Sequence, residues 1–166
     1  FDLAAAALVS GLTNVVTIAS GCGDPYFSVK FRGLGIDLAK HNIGHGGSYQ
    51  GRTWNELAVA IRRWHFELIA RLAAKLQAMP EGDGTMFDHT VIVYLSDSGD
   101  SHHPGLYDWP VIVLGNLGGK LKTAGRLLQW PGYGAKDHRT IANFYLSLLA
   151  AVGARRETFG FTDPGL

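Results

Sequence analysis

Residues 90–103 read TVIVYLSDSGDSHH, an unbroken apolar run that discharges directly into acids, a glycine and adjacent histidines. The run at residues 91–95 is expected to be a buried strand. Open α/β sheets place their sites at the carboxyl ends of such strands. Carboxylates and imidazoles together suit a hard or borderline divalent cation. Asp97 is the best placed, immediately after the strand. Asp100 serves either the site or a turn, by bonding its own backbone. Of two adjacent histidines one commonly points away from any shared centre. One of His102 and His103 is therefore expected to be a ligand and the other a supporting or substrate contact.

A second cluster is His41 and His45, in HNIGHGG. A spacing of four brings two imidazoles to one metal if the segment is helical, and the glycines at 44, 46 and 47 allow close backbone approach. Such a pair is common, and by itself it reads as solvated histidines in a glycine-rich loop. A third cluster is Asp137, His138 and Arg139, just ahead of the last helix. Asp137 reads as a helix N-cap. His138 and Arg139 stand where a helix N-terminus meets an anionic substrate group, or support the site from behind.

The rest of the pattern alternates helices with short strands. Residues 2–12 are alanine-rich and helical in character, and residues 14–19 (NVVTIA) are a strand candidate. Residues 20–52 read as a glycine-punctuated loop region. Thr53 and Glu56 form a capping-box pattern, followed by Leu57, Ile61, Trp64, Leu68, Leu72 and Leu76 at helical spacing. Pro80 stops this helix, and residues 81–84 (EGDG) are a turn. Residues 110–114 (PVIVL) form the next strand, and a hairpin is expected around residues 126–129. A last helix spans about residues 139–152, closed by Gly153. This order implies a single α/β domain over residues 1–166, with a three-layer α/β/α arrangement.

Composition narrows the function classes. Lys+Arg number 15 against 14 Asp+Glu, and no basic stripe forms, so nothing points to nucleic acid. One cysteine, Cys22, excludes an internal disulfide and a cysteine-rich zinc site. No run approaches the ~20 apolar residues that span a bilayer. The chain opens with Phe1 directly on a helix-like run, which suggests a processed or truncated product. Residues 115–121 (GNLGGKL) fail as a phosphate loop, because Leu121 stands where a magnesium-holding hydroxyl is needed. Ser98 fails as a nucleophile elbow, because Ser96 and Asp100 replace its glycines.

Five segments carry a family resemblance: DLAAAALVSGLTNVVTIASG, HNIGHGG, QAMPEGDGTMFDHTVIVYLSDSGDSHH, WPVIVLGNLGGKLKTAGR and HRTIANFYLSLLAAVG. Together they resemble the C-terminal part of the HXXSHH-motif family, bacterial proteins related to alkaline phosphatases and sulfatases. His41 and His45 match two histidines of that motif, while Gly44 replaces its serine and Gly46 its last histidine. The resemblance implies an alkaline-phosphatase-like fold of which this chain is a C-terminal portion. It implies a divalent metal, zinc or calcium, held by His41, His45, Asp97 and one of His102 and His103, with His138 a further candidate for the later histidine. In that pattern KHNIGHGG resembles the D-x-x-G-H loop with His41 in place of the acid. LSDSGD resembles the strand-ending S-D-H-G with Ser98 in place of the histidine. The implied activity is hydrolysis of phosphate or sulfate esters of small molecules or glycans, in a periplasmic or secreted setting. The nucleophile of such enzymes comes from the N-terminal half and has no counterpart here. The alternative is a degenerate, non-catalytic member that serves as a binding or assembly protein, to which Gly46 and Ser98 point.

Overall fold

Thr53 starts the longest element. Its hydroxyl accepts from the Glu56 amide at 3.4 Å, and the Glu56 carboxylate accepts from the Thr53 amide at 2.8 Å. Reciprocal capping of this kind satisfies donors that a helix start leaves unpaired. The computed structural model describes residues 1–20, 29–96 and 108–160. They fall into two compact units, Phe1–Met86 and Phe87–Leu166. The architecture is mixed α/β, with short two-stranded sheets and α-helices.

In the first unit, α1 is Asp2–Val9, β1 is Lys30–Phe31, β2 is Ile36–Ala39, α2 is Lys40–Gly44 and α3 is Trp54–Gln77. A small hairpin follows, β3 (Pro80–Glu81) against β4 (Gly84–Thr85), so the turn expected at residues 81–84 forms. Along α3 the buried side chains are Leu57, Ile61, His65, Ile69, Leu72, Ala73 and Leu76. The stripe expected from spacing holds at Leu57, Ile61, Leu72 and Leu76. At its middle His65 and Ile69 take the inward positions, and Trp64 and Leu68 lie on the flank.

β1 and β2 form an antiparallel hairpin within the region read as loop. Asp37 on β2 pairs with Lys30 and Arg32, each at 2.9 Å. These exposed pairs orient the hairpin and contribute little energy. Its inward side chains, Phe31 and Ile36, pack with Ile43 of α2 and with Leu57 and Ile61 of α3. Ile36 and Leu57 are fully buried. This cluster seats α2 on the first half of α3. Residues 14–19, expected as a strand, join no ladder, and Val15 and Ile18 stay exposed. Their β-branched side chains favour extended backbone, but a strand also needs a partner.

In the second unit, β5 (Ile92–Leu95) pairs antiparallel with β6 (Val111–Leu114), in the register Ile92↔Leu114 to Leu95↔Val111. The Trp109 indole donates to the Ser96 carbonyl at 2.8 Å, joining the chain on either side of residues 97–107. α4 is Ile141–Ala151. Its N-cap is Thr140, whose amide donates to the Asn143 side chain at 2.8 Å, so Asp137 is not the cap. Asp137 instead holds a left-handed φ of 64° in the turn before it. The hairpin expected at residues 126–129 does not form. A turn at Gly125 sends the Arg126 guanidinium back onto the Lys122 carbonyl at 3.0 Å, and the following residues pair with nothing in a sheet. Among the described residues no helix is long and apolar enough to cross a membrane.

Candidate functional site

His41 and His45 come together. Residues 40–44 are helical, and the His45 amide continues the ladder onto the His41 carbonyl at 3.1 Å. The two side chains therefore stack on one face. Their Nε2 atoms lie 3.1 Å apart, and the rings meet edge to face with centroids 4.6 Å apart. One nitrogen donates to the other. Two imidazole nitrogens bound to one tetrahedral zinc at about 2.0–2.1 Å are themselves roughly 3.3 Å apart. The separation of the two nitrogens is thus near that of two imidazoles sharing one ion.

Sequence explains why so short a helix holds this shape. Ile43, between the two histidines, is buried in the core and anchors α2. Beyond His45 the chain folds back, with the Gly47 amide on the Asn42 carbonyl at 2.8 Å. A Cβ at position 47 would sit 2.6 Å from that same oxygen, so this return needs glycine.

Asp97, Asp100, His102 and His103 lie outside the described residues. β5 does end at Leu95, immediately before Ser96 and Asp97. His138 is buried, and its Nδ1 donates to the Ala135 carbonyl at 2.9 Å, with the Tyr133 ring edge-on at 5.1 Å. That bond leaves Nε2 as the nitrogen directed to other partners, the arrangement seen behind many histidine ligands. The Arg139 guanidinium donates to the His138 carbonyl at 2.8 Å. Among the described residues, no three His, Cys, Asp or Glu side chains group to hold a metal.

One arrangement escaped the sequence reading. His65, at 8% exposure, takes its place on the inner stripe of α3, and its Nε2 lies 2.8 Å from the Ser20 hydroxyl. The signal was the run 57, 61, 65, 69, a period of four with histidine in an apolar slot. Burial, and then the Lys40 charge, hold the imidazole below its ordinary value of 6.5. Lys40 also donates to the Ser20 carbonyl at 3.3 Å.

This shift has a defined consequence. Below 6.5 the unfolded chain takes up the proton that folded His65 resists, so stability is full above 6.5 and falls as pH drops toward the folded value. The carboxyls of Asp37, lowered by Lys30 and then Arg32, and of Glu56, lowered by the Thr53 amide, act in the carboxylate range further down. The melting temperature should therefore fall as pH drops below about 6.5, and His65→Gln should flatten that segment of the curve. An unchanged slope in the variant would assign the loss to other histidines.

Compared with family models, with curated proteins and with solved structures, the chain matches none.

Proposed function

We propose that this chain is the C-terminal part of a metal-dependent ester hydrolase of the alkaline phosphatase and sulfatase kind, built on a three-layer α/β/α domain. It would act on phosphate or sulfate esters of small molecules or glycans, in a periplasmic or secreted setting. The observation that carries the reading is the 3.1 Å approach of the His41 and His45 Nε2 atoms on a helix that Ile43 locks into the core. Imidazole favours zinc over calcium, which takes oxygen ligands. Asp97 and one of His102 and His103 are the further ligands in this reading, with Asp100, His138 and Arg139 in supporting or substrate-binding roles. A bound divalent ion would polarise the ester and stabilise charge on the oxygens of the reacting group. The chain's own contribution is to hold both imidazoles converged before the ion arrives.

Zinc titration of the full chain by calorimetry tests this. His41→Ala and His45→Ala should each weaken zinc binding on the order of 100-fold, by breaking the chelate. Asp97→Ala should weaken it similarly. Hydrolysis of 4-nitrophenyl phosphate and 4-nitrophenyl sulfate by the full-length protein should be lost together with the metal. Full zinc affinity in the doubly substituted His41/His45 protein would refute the reading. Zinc binding without turnover in the full-length protein would favour the non-catalytic alternative that Gly46 and Ser98 suggest.

A further inference from the structure

We propose that Ser20 and His65 form a second, metal-independent site: a nucleophile and its general base, reactive toward small uncharged carboxylic esters. The pair is held at 2.8 Å across 45 residues of sequence, so it is a tertiary contact and not a local turn or cap. The two partners differ in accessibility as such a pair requires. His65 is buried on a long, capped helix, whereas Ser20 is only half-buried.

Two aromatic rings flank the imidazole. The Phe31 ring stands edge-on at 5.8 Å, and the Trp64 ring lies at 5.4 Å. Ser20 is fixed from its other side by the Lys40 ammonium on its carbonyl. Activation of a serine hydroxyl needs this juxtaposition, a positioned and neutral imidazole within hydrogen-bond reach. Neutrality follows from the same burial and Lys40 charge that lower its affinity for a proton.

Substrate class follows from charge. An anionic phosphate or sulfate ester needs several cationic partners in its transition state. Lys40 is the cation the described contacts place at this pair, and it is engaged with backbone. The Phe31 and Trp64 rings make the surroundings apolar, which suits a neutral acyl group. In the reaction, Ser20 Oγ bonds to the ester carbonyl carbon and its proton passes to His65 Nε2. The carbon–oxygen bond to the alcohol breaks, and the leaving oxygen takes that proton. Water then attacks the acyl-serine, His65 again relaying the proton, and releases the carboxylic acid.

The simpler alternative is that Ser20 merely satisfies a buried ring nitrogen. The two are separated by treating the folded full chain, in excess EDTA, with a fluorophosphonate probe and with 4-nitrophenyl acetate. Peptide mass spectrometry should find the probe on Ser20, and acetate ester cleavage should show a burst that Ser20→Ala abolishes. His65→Gln keeps a hydrogen-bonding group beside Ser20 but cannot act as the base, and should slow labelling on the order of 100-fold. No adduct on Ser20, an equal rate in urea-unfolded chain, or an equal rate in His65→Gln would overturn the proposal. Labelling that appears only in a control without EDTA would overturn its metal independence. Because the chelator is present in every other arm, failure there leaves the zinc reading of His41 and His45 untouched.

Discussion

Leu57→Ala should lower unfolding free energy by about 2–5 kcal/mol, the range for removing a fully enclosed leucine. Leu57 has no exposed surface and closes the cluster of Phe31, Ile36, Ile43 and Ile61. Three elements meet at this one side chain: the β1–β2 hairpin, α2 and α3. Its loss leaves a cavity in the cluster that holds Ile43. The effect should therefore reach beyond stability, because Ile43 holds the short helix that converges His41 and His45. Urea denaturation should give the free-energy loss, and zinc titration at low denaturant should show weaker binding in the variant. A loss below about 1 kcal/mol would mean that this cluster does not carry the first unit.

Gly115→Ala should cost about 2–4 kcal/mol, although it adds only a methyl group. Position 115 directly follows β6, with a φ of 80°. A left-handed conformation costs a residue with Cβ about 1–2 kcal/mol. Here the new Cβ would also lie 2.3 Å from the Thr90 carbonyl oxygen, a backbone atom that cannot rotate away. The same oxygen accepts from the Leu117 amide at 3.3 Å, and the Gly115 carbonyl accepts from Thr123 at 2.7 Å. Relief of the clash must pull at the ends of both β5 and β6. A circular dichroism melt of Gly115→Ala should show the loss, whereas Gly132→Ala, with open space at its Cβ and no left-handed φ, should melt close to the parent. Equal melting of the two variants would contradict this close approach.

What could be read from sequence was local and strongly patterned. Thr53 and Glu56 announce a helix start through side chain–backbone bonds that need no tertiary information, and the helix begins there. Residues 91–95 and 110–114 are apolar runs of strand length, and β5 and β6 occupy them. The His41–His45 convergence was conditional on helix, and the helix is present. Elsewhere the deciding contacts were distant or unmarked. β1 and β2 are short, and their pairing depends on Phe31 and Ile36 finding α3, which composition between glycines does not reveal. Residues 14–19 have strand propensity without a ladder. Asp137 and Thr140 are both good caps by type, and only backbone geometry chooses Thr140. Ser20 and His65 meet across 45 residues, beyond any spacing rule.

The Trp109–Ser96 bond bears on how dearly a ligand set can be assembled. Drawing the two ends of a chain segment together costs entropy that grows slowly with its length. Here the cost is met in folding, by the indole clasp and by the Leu95↔Val111 rung beside it. Asp97, Asp100, His102 and His103 all fall between those two tethers. Under the proposed metal reading, an ion drawing on them would not have to close that span itself, so more of its coordination energy would remain as affinity.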